Sequence, residues 1–216
     1  MPLDSRWRPV DPAQLPRLVA GRLHREPGIR RVAIDGCPAT DPAAFAESLL
    51  EPLRSLGRPA AHVRAEHFWR DASLRLEYGR EDVEAYLTWL DADALRREVL
   101  DPVVATGRFL PSLRDPATNR ATRAVPLTAE PGTILLVSGP LLLNLYEWTP
   151  LPFDTTVHLT LSPAARARHT PEAEQWTLEA FAQYDEQREP IGLANVVIKL
   201  DDPRHPAARG LGNPHS

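Results

Sequence analysis

The sequence predicts a single α/β domain in which a parallel sheet is covered by helices on both faces, and three observations lead there. Four short apolar runs at 30–36, 132–140, 155–162 and 194–200 alternate with segments of helical spacing. The runs at 132–140 and 194–200 lack the regular polar alternation of a half-exposed strand, which is the pattern of strands buried on both faces. The chain has 216 residues, 43% hydrophobic and 25% charged, with no internal repeat and no low-complexity linker at which to divide it.

The elements follow in order. Residues 11–25 open on Asp11 as an N-cap and Pro12 at the first helical position, then place Leu15, Leu18, Val19 and Leu23 on one helical face. This helix makes residues 1–29 an N-terminal extension, ended by Pro27 and Gly28. A strand is expected at 30–36, running straight into a turn. From Pro42 to about Leu56, Phe45, Leu49, Leu50 and Leu53 mark a helix that Pro52 should kink. A second strand is read at 60–65 and a helix at 91–104, capped by Asp91 or Asp93. Between Gly107 and Gly132 the chain is rich in Pro, Thr and Arg without periodicity, which reads as an extended or hairpin-like excursion. Strands at 132–140 and 155–162, helices at 163–169 and 171–188, and a last strand at 194–200 complete a domain over 30–206. Residues 207–216, with Gly210, Gly212 and Pro214, are expected to be a flexible tail.

Composition removes several classes of function. Twenty-five basic against 29 acidic residues give a net charge of -4, so the overall field attracts neither nucleic acid nor an anionic membrane. The longest apolar stretch, from Ile134 to Leu145, is broken by Ser138, Gly139 and Pro140 and is too short to span a bilayer. The N-terminal residues lack the apolar stretch of a signal peptide, so a cytoplasmic protein is expected. Cys37 is the only cysteine, which leaves no internal disulfide and no cysteine-based zinc site. The seven histidines include no pair at i, i+4 spacing, so no metal held by protein ligands alone is expected. Of the 25 basic residues 24 are arginine; Lys199 is the sole lysine.

The loop after the first buried strand is where an α/β sheet of this kind would hold a phosphate. It reads Asp35-Gly36-Cys37-Pro38-Ala39-Thr40-Asp41-Pro42-Ala43. Against the pattern G-x-x-x-x-G-K-[ST], Gly36 matches the first glycine, while Asp41, Pro42 and Ala43 stand at the second glycine, the lysine and the hydroxyl. Each replacement removes a separate contribution: backbone freedom to wrap an anion, a point charge for the phosphates, and a ligand for Mg²⁺. Asp41 followed by Pro42 is instead a helix-start signal, with the carboxylate at the electropositive end that a phosphate would fill. The segment by itself fits a phosphate loop that has lost its ligand or an ordinary strand-to-helix turn.

Neighbouring segments add a resemblance. VRAEHFWR (63–70), LDADALRREVLDPV (90–103), ILLVSGPLLL (134–143) and ANVVIKLDDP (194–203) together resemble the uridine kinase-like P-loop family, in particular its divergent actinobacterial members. The resemblance runs from about Arg30 to Pro206 and implies a P-loop kinase-like fold. It also implies a carboxylate that accepts the nucleoside hydroxyl proton; Glu66 stands at that position, with Phe68 at the aromatic beside it and Arg114 among the substrate contacts. Gly36 and Thr40 would remain of the phosphate site, with Arg166 and Arg168 as lid arginines. The acidic residue that the family places at the end of the central strand is Ser138 here.

Three readings follow from the resemblance. The first is a nucleoside- or nucleotide-binding protein with impaired ATP-dependent phosphoryl transfer. The second is a working kinase, using ATP and Mg²⁺, with Glu66 as base and arginines on the phosphates. The third is a scaffold or regulatory protein that binds no nucleotide, with an unidentified protein partner. Four further features have a double reading. Arg108, Arg114, Arg120 and Arg123 suit an anion-binding rim or a solvated loop. Cys37 suits a thiolate at a helix start or a small buried residue. Glu66 and His67 would form an acid/base pair only if adjacent strand residues shared a face, which they do not. Trp69, Trp89, Trp148 and Trp176 with Tyr86 and Tyr146 suit a stacking wall or core packing.

Overall fold

The buried runs form the centre of a seven-stranded sheet in the computed structural model, which describes residues 6–144 and 150–212. Its strands are β1 (Arg8–Pro9), β2 (Arg30–Gly36), β3 (Ala60–Arg64), β6 (Ile134–Gly139), β7 (Thr155–Thr160), β8 (Val196–Lys199) and β9 (Ala207–Arg209). A separate two-stranded ribbon pairs β4 (Arg108–Phe109) with β5 (Leu127–Thr128) antiparallel, so the 107–132 excursion is hairpin-like as expected. The sheet order is β1-β9-β8-β7-β2-β6-β3. The five strands from β3 to β8 pair parallel, and β9 and β1 add antiparallel at one edge.

The helices divide between the two faces because alternate strand residues point to opposite sides. On one face α1 (Leu15–Leu23) and α2 (Pro42–Ser55) bury Val19, Leu23, Leu49 and Leu53 against Val32, Ile34, Leu136 and Val157. On the other, α5 (Ala92–Leu95) runs through a π-helical segment, Arg96–Leu100, into α6 (Asp101–Thr106). Leu95, Val99 and Val103 pack there with Ala33, Leu135 and Val137. The same layer holds α8 (Thr177–Arg188), preceded by α7 (Pro163–His169) and followed by α9 (Pro190–Leu193). Short helices α3 (Ala72–Arg75) and α4 (Val83–Tyr86) lie between β3 and α5. The expected α/β architecture with both faces covered is what the chain adopts.

Three expectations need correction. The tail is not frayed at its start, because Ala207–Arg209 pairs with β8 and buries Ala208, and β1 in turn pairs with it. The strand holding Lys199 is therefore the last parallel one and not the last of the sheet. The N-terminal helix begins at Leu15, after a turn in which Asp11 accepts from the Ala13 and Leu15 amides, and it shares one core cluster with α2. That burial makes it a component of the domain more than an appendage. Glu66 and His67 lie in a 3-10 turn, Ala65–Phe68, so strand alternation does not govern their directions.

Candidate functional site

The carboxyl ends of the parallel strands bring together the β2–α2 loop, the Glu66 turn and the end of β6. β2 ends at Gly36, which is buried. A Cβ there would lie 2.5 Å from Thr40 Oγ1 and 2.9 Å from the Leu159 carbonyl oxygen, so the glycine serves the close approach of the loop to the end of β2 and of β2 to its neighbour β7. Pro38–Thr40 forms a 3-10 turn. The Thr40 hydroxyl donates to the Cys37 carbonyl at 2.7 Å, the Thr40 amide donates to the same oxygen, and the Asp41 amide donates to the Pro38 carbonyl.

Asp41 caps α2 as the sequence implied: its Oδ1 accepts from the Ala44 amide at 3.0 Å. The residue has φ 46° and ψ 67°, a left-handed conformation that favours glycine and that Asp tolerates better than most residues. The loop thus keeps a glycine-like backbone at the position of the second glycine, with a carboxylate side chain added. Pro38 and Pro42 contribute no amide donors. The residues present do not fit Mg-ATP: the amides of Thr40, Asp41 and Ala44 are engaged locally, and Pro42 and Ala43 supply neither a cation nor a hydroxyl. Ser138, where an acidic partner would stand, is fully buried and hydrogen-bonded to His62 Nε2 at 2.7 Å. No group of three or more metal-ligating side chains occurs among the described residues.

Glu66 sits just beyond β3. Its Oε2 is buried and has no hydrogen-bond partner among the described residues. Burial pushes the carboxyl above its ordinary range, and the nearby charge of Asp41 adds to this against the lowering effects of its own amide and Arg64. The end of β6 closes on this turn: a Cβ at Gly139 would fall 2.8 Å from Ala65 Cβ and 3.5 Å from Glu66 Oε2. The 107–132 excursion reaches the same place, since the Arg114 amide donates to the His67 carbonyl at 3.0 Å. The Arg114 side chain pairs with Asp71 at 3.0 Å and donates to the Asn119 carbonyl at 2.7 Å, which anchors the excursion beside α3.

The other named residues face elsewhere. Phe68 is 1% exposed and belongs to the core with Val63, Ala65 and Leu95, so it offers no surface to a ligand. Arg166 is buried, pairs with Asp185 on α8 and lies 5.5 Å from the centre of the Phe181 ring. Arg168, two residues on, is exposed. Cys37 is buried, and burial raises its thiol, which suits a packed residue over a thiolate. Trp69, Trp89, Trp176 and Tyr86 meet edge to face or tilted, with centroids 4.8–6.0 Å apart, and form an aromatic cluster against the core. Tyr146 and Trp148 lie outside the described residues.

One group escaped the sequence reading. Asp35, one residue before Gly36, is fully buried and accepts three hydrogen bonds: from the Leu142 amide at 2.8 Å, His158 Nδ1 at 2.6 Å and the Tyr184 hydroxyl at 2.9 Å. A lone acid inside an apolar strand was the available signal, because such a group is tolerated only with partners.

The relationships of the chain point the same way as its topology. No protein-family model matches the sequence, and no curated protein matches it. Among solved structures it is similar to a possible uridine kinase from Bacillus stearothermophilus, at 20% identity and a TM-score of 0.69, covering 86% of this chain and 98% of that one. It is also similar to a candidate fructose transport system kinase from Silicibacter sp. TM1040, at 20% identity and a TM-score of 0.54, covering 86% and 95%. At these identities the likeness concerns architecture, and the chain has the fold of the P-loop kinase-like proteins.

Proposed function

We propose that this protein binds a nucleoside or nucleotide at the carboxyl edge of its sheet and that its ATP-dependent phosphoryl transfer is impaired. The observation that carries the reading is the β2–α2 loop, in which the Thr40 hydroxyl and amide donate to the Cys37 carbonyl, the Asp41 amide donates to the Pro38 carbonyl, and the Asp41 carboxylate fills the helix-capping position. Likeness of fold to a possible uridine kinase supports the ligand class. The test combines thermal shift with product formation, using a nucleoside panel with ATP and Mg²⁺. A rise in melting temperature with a nucleoside or nucleotide and no product above background is expected. No shift with any member of the panel would instead favour a scaffold.

One observation favours a second reading, that of a working kinase. Glu66 holds a buried carboxylate oxygen with no hydrogen-bond partner among the described residues and a raised proton affinity, which are properties of a general base. Turnover that disappears in Glu66→Gln would overturn impairment and establish that base. Restoring Gly, Lys and Thr at 41, 42 and 43 tests descent from a phosphate loop: acquired nucleotide binding supports it, and destabilisation without binding counts against it.

A further inference from the structure

The turn after β6 is held from a distance. Leu141 has φ 63°, a left-handed backbone that a leucine rarely adopts and that survives only where the surroundings impose it. The restraints are visible on the next two residues: the Leu142 amide donates to Asp35 Oδ1 at 2.8 Å and the Leu143 amide to the Tyr184 hydroxyl at 3.1 Å. Tyr184 donates in turn to Asp35 Oδ2, and burial together with the Asp35 charge keeps its phenol protonated for that bond. His158 Nδ1 on β7 holds the same oxygen. A single carboxylate on the strand leading into the β2–α2 loop therefore ties together β7, α8 and the turn. The turn begins at Gly139, which lies too close to Ala65 for any Cβ and borders Glu66 Oε2.

We propose that Asp35 is a positioning residue that, with Tyr184, sets the turn after β6 and, through Gly139, the place of Glu66. The mechanical link stands on geometry alone; its consequence for ligands rests on the function proposed above. A carboxylate is suited to this task because its two oxygens accept from three elements at once, which an amide in the same place cannot reproduce.

The test uses Tyr184→Phe, which keeps the ring and removes the hydroxyl, together with Asp35→Asn. Residue-resolved amide exchange is measured alongside urea unfolding, and the Glu66 carboxyl is titrated by NMR. In Tyr184→Phe, exchange at Leu142, Leu143 and 65–68 should accelerate at least about tenfold beyond any global change, and the Glu66 titration should move down toward an ordinary carboxylate. A change confined to Leu143, or an unmoved Glu66 titration, would overturn the proposal. If Asp35→Asn does not fold, the Tyr184→Phe result decides alone. Where wild type binds uridine, Tyr184→Phe should weaken it; if wild type binds no nucleoside, the proposed function fails while the exchange and titration data still judge the link.

Discussion

Asp41 makes two separable contributions, and two substitutions divide them. In Asp41→Ala the Ala44 amide loses its 3.0 Å acceptor, a loss of about 1 kcal/mol for an N-cap. The alanine must also adopt φ 46°, which costs an L-residue without a local polar side chain about 1 kcal/mol more. The sum is about 2 kcal/mol of destabilisation. Asp41→Gly loses the same acceptor, but glycine is a tolerable N-cap and adopts the left-handed backbone freely, so its stability should stay within about 0.5 kcal/mol of wild type. Urea unfolding of the three proteins at neutral pH measures this, with a shifted midpoint and an unchanged slope expected for the alanine variant. Equal losses in Ala and Gly would refute the left-handed conformation as a cost, and an alanine variant as stable as wild type would refute both contributions.

Three more outcomes follow from the buried groups. Burial lowers His62 to about 4 against an ordinary 6.5, so stability should be complete above pH 6.5 and fall as pH drops toward 4, by roughly 3 kcal/mol at most. His62→Gln should flatten that part of the profile in urea unfolding series, and an unchanged slope would contradict it. Glu66 has a raised proton affinity in the folded state, so its contribution to stability is lost as pH rises above the ordinary glutamate range. Glu66→Gln should accordingly be more stable than wild type at pH 7, with the gap closing near pH 4. Gly139→Ala forces a methyl to 2.8 Å from Ala65 Cβ and should cost about 2 kcal/mol by overpacking, seen as a lower unfolding midpoint.

Most of the secondary structure was legible because its signals are local. Asp41 and Asp91 cap α2 and α5 through side-chain bonds to residues three positions on, a spacing readable in one dimension. The apolar runs became central strands because a backbone buried on both faces needs partners that only a sheet supplies. The tail misled because Gly and Pro signal turns but do not report whether a neighbouring strand has a free edge; β8 has one, and Ala207–Arg209 takes it. Phe68 misled for a related reason. An aromatic residue at the end of a strand is equally consistent with a ligand wall and a core, and its 1% exposure depends on what α5 and β6 pack against it.

By itself, the sequence determined the class of fold, the covered parallel sheet, the self-capped helix after the first buried strand, and the absence of lysine from the loop before it. Tertiary structure decided what each polar side chain does. Arg166 could have pointed to solvent or to a phosphate, and Asp185 and Phe181 draw it inward. Asp35 could have been a strand-end acid like any other, and three donors from distant parts of the chain make it the centre of a buried network. Local patterning is set by covalent geometry over a few residues, whereas the partner of a buried charge is chosen by chain segments more than 100 residues away.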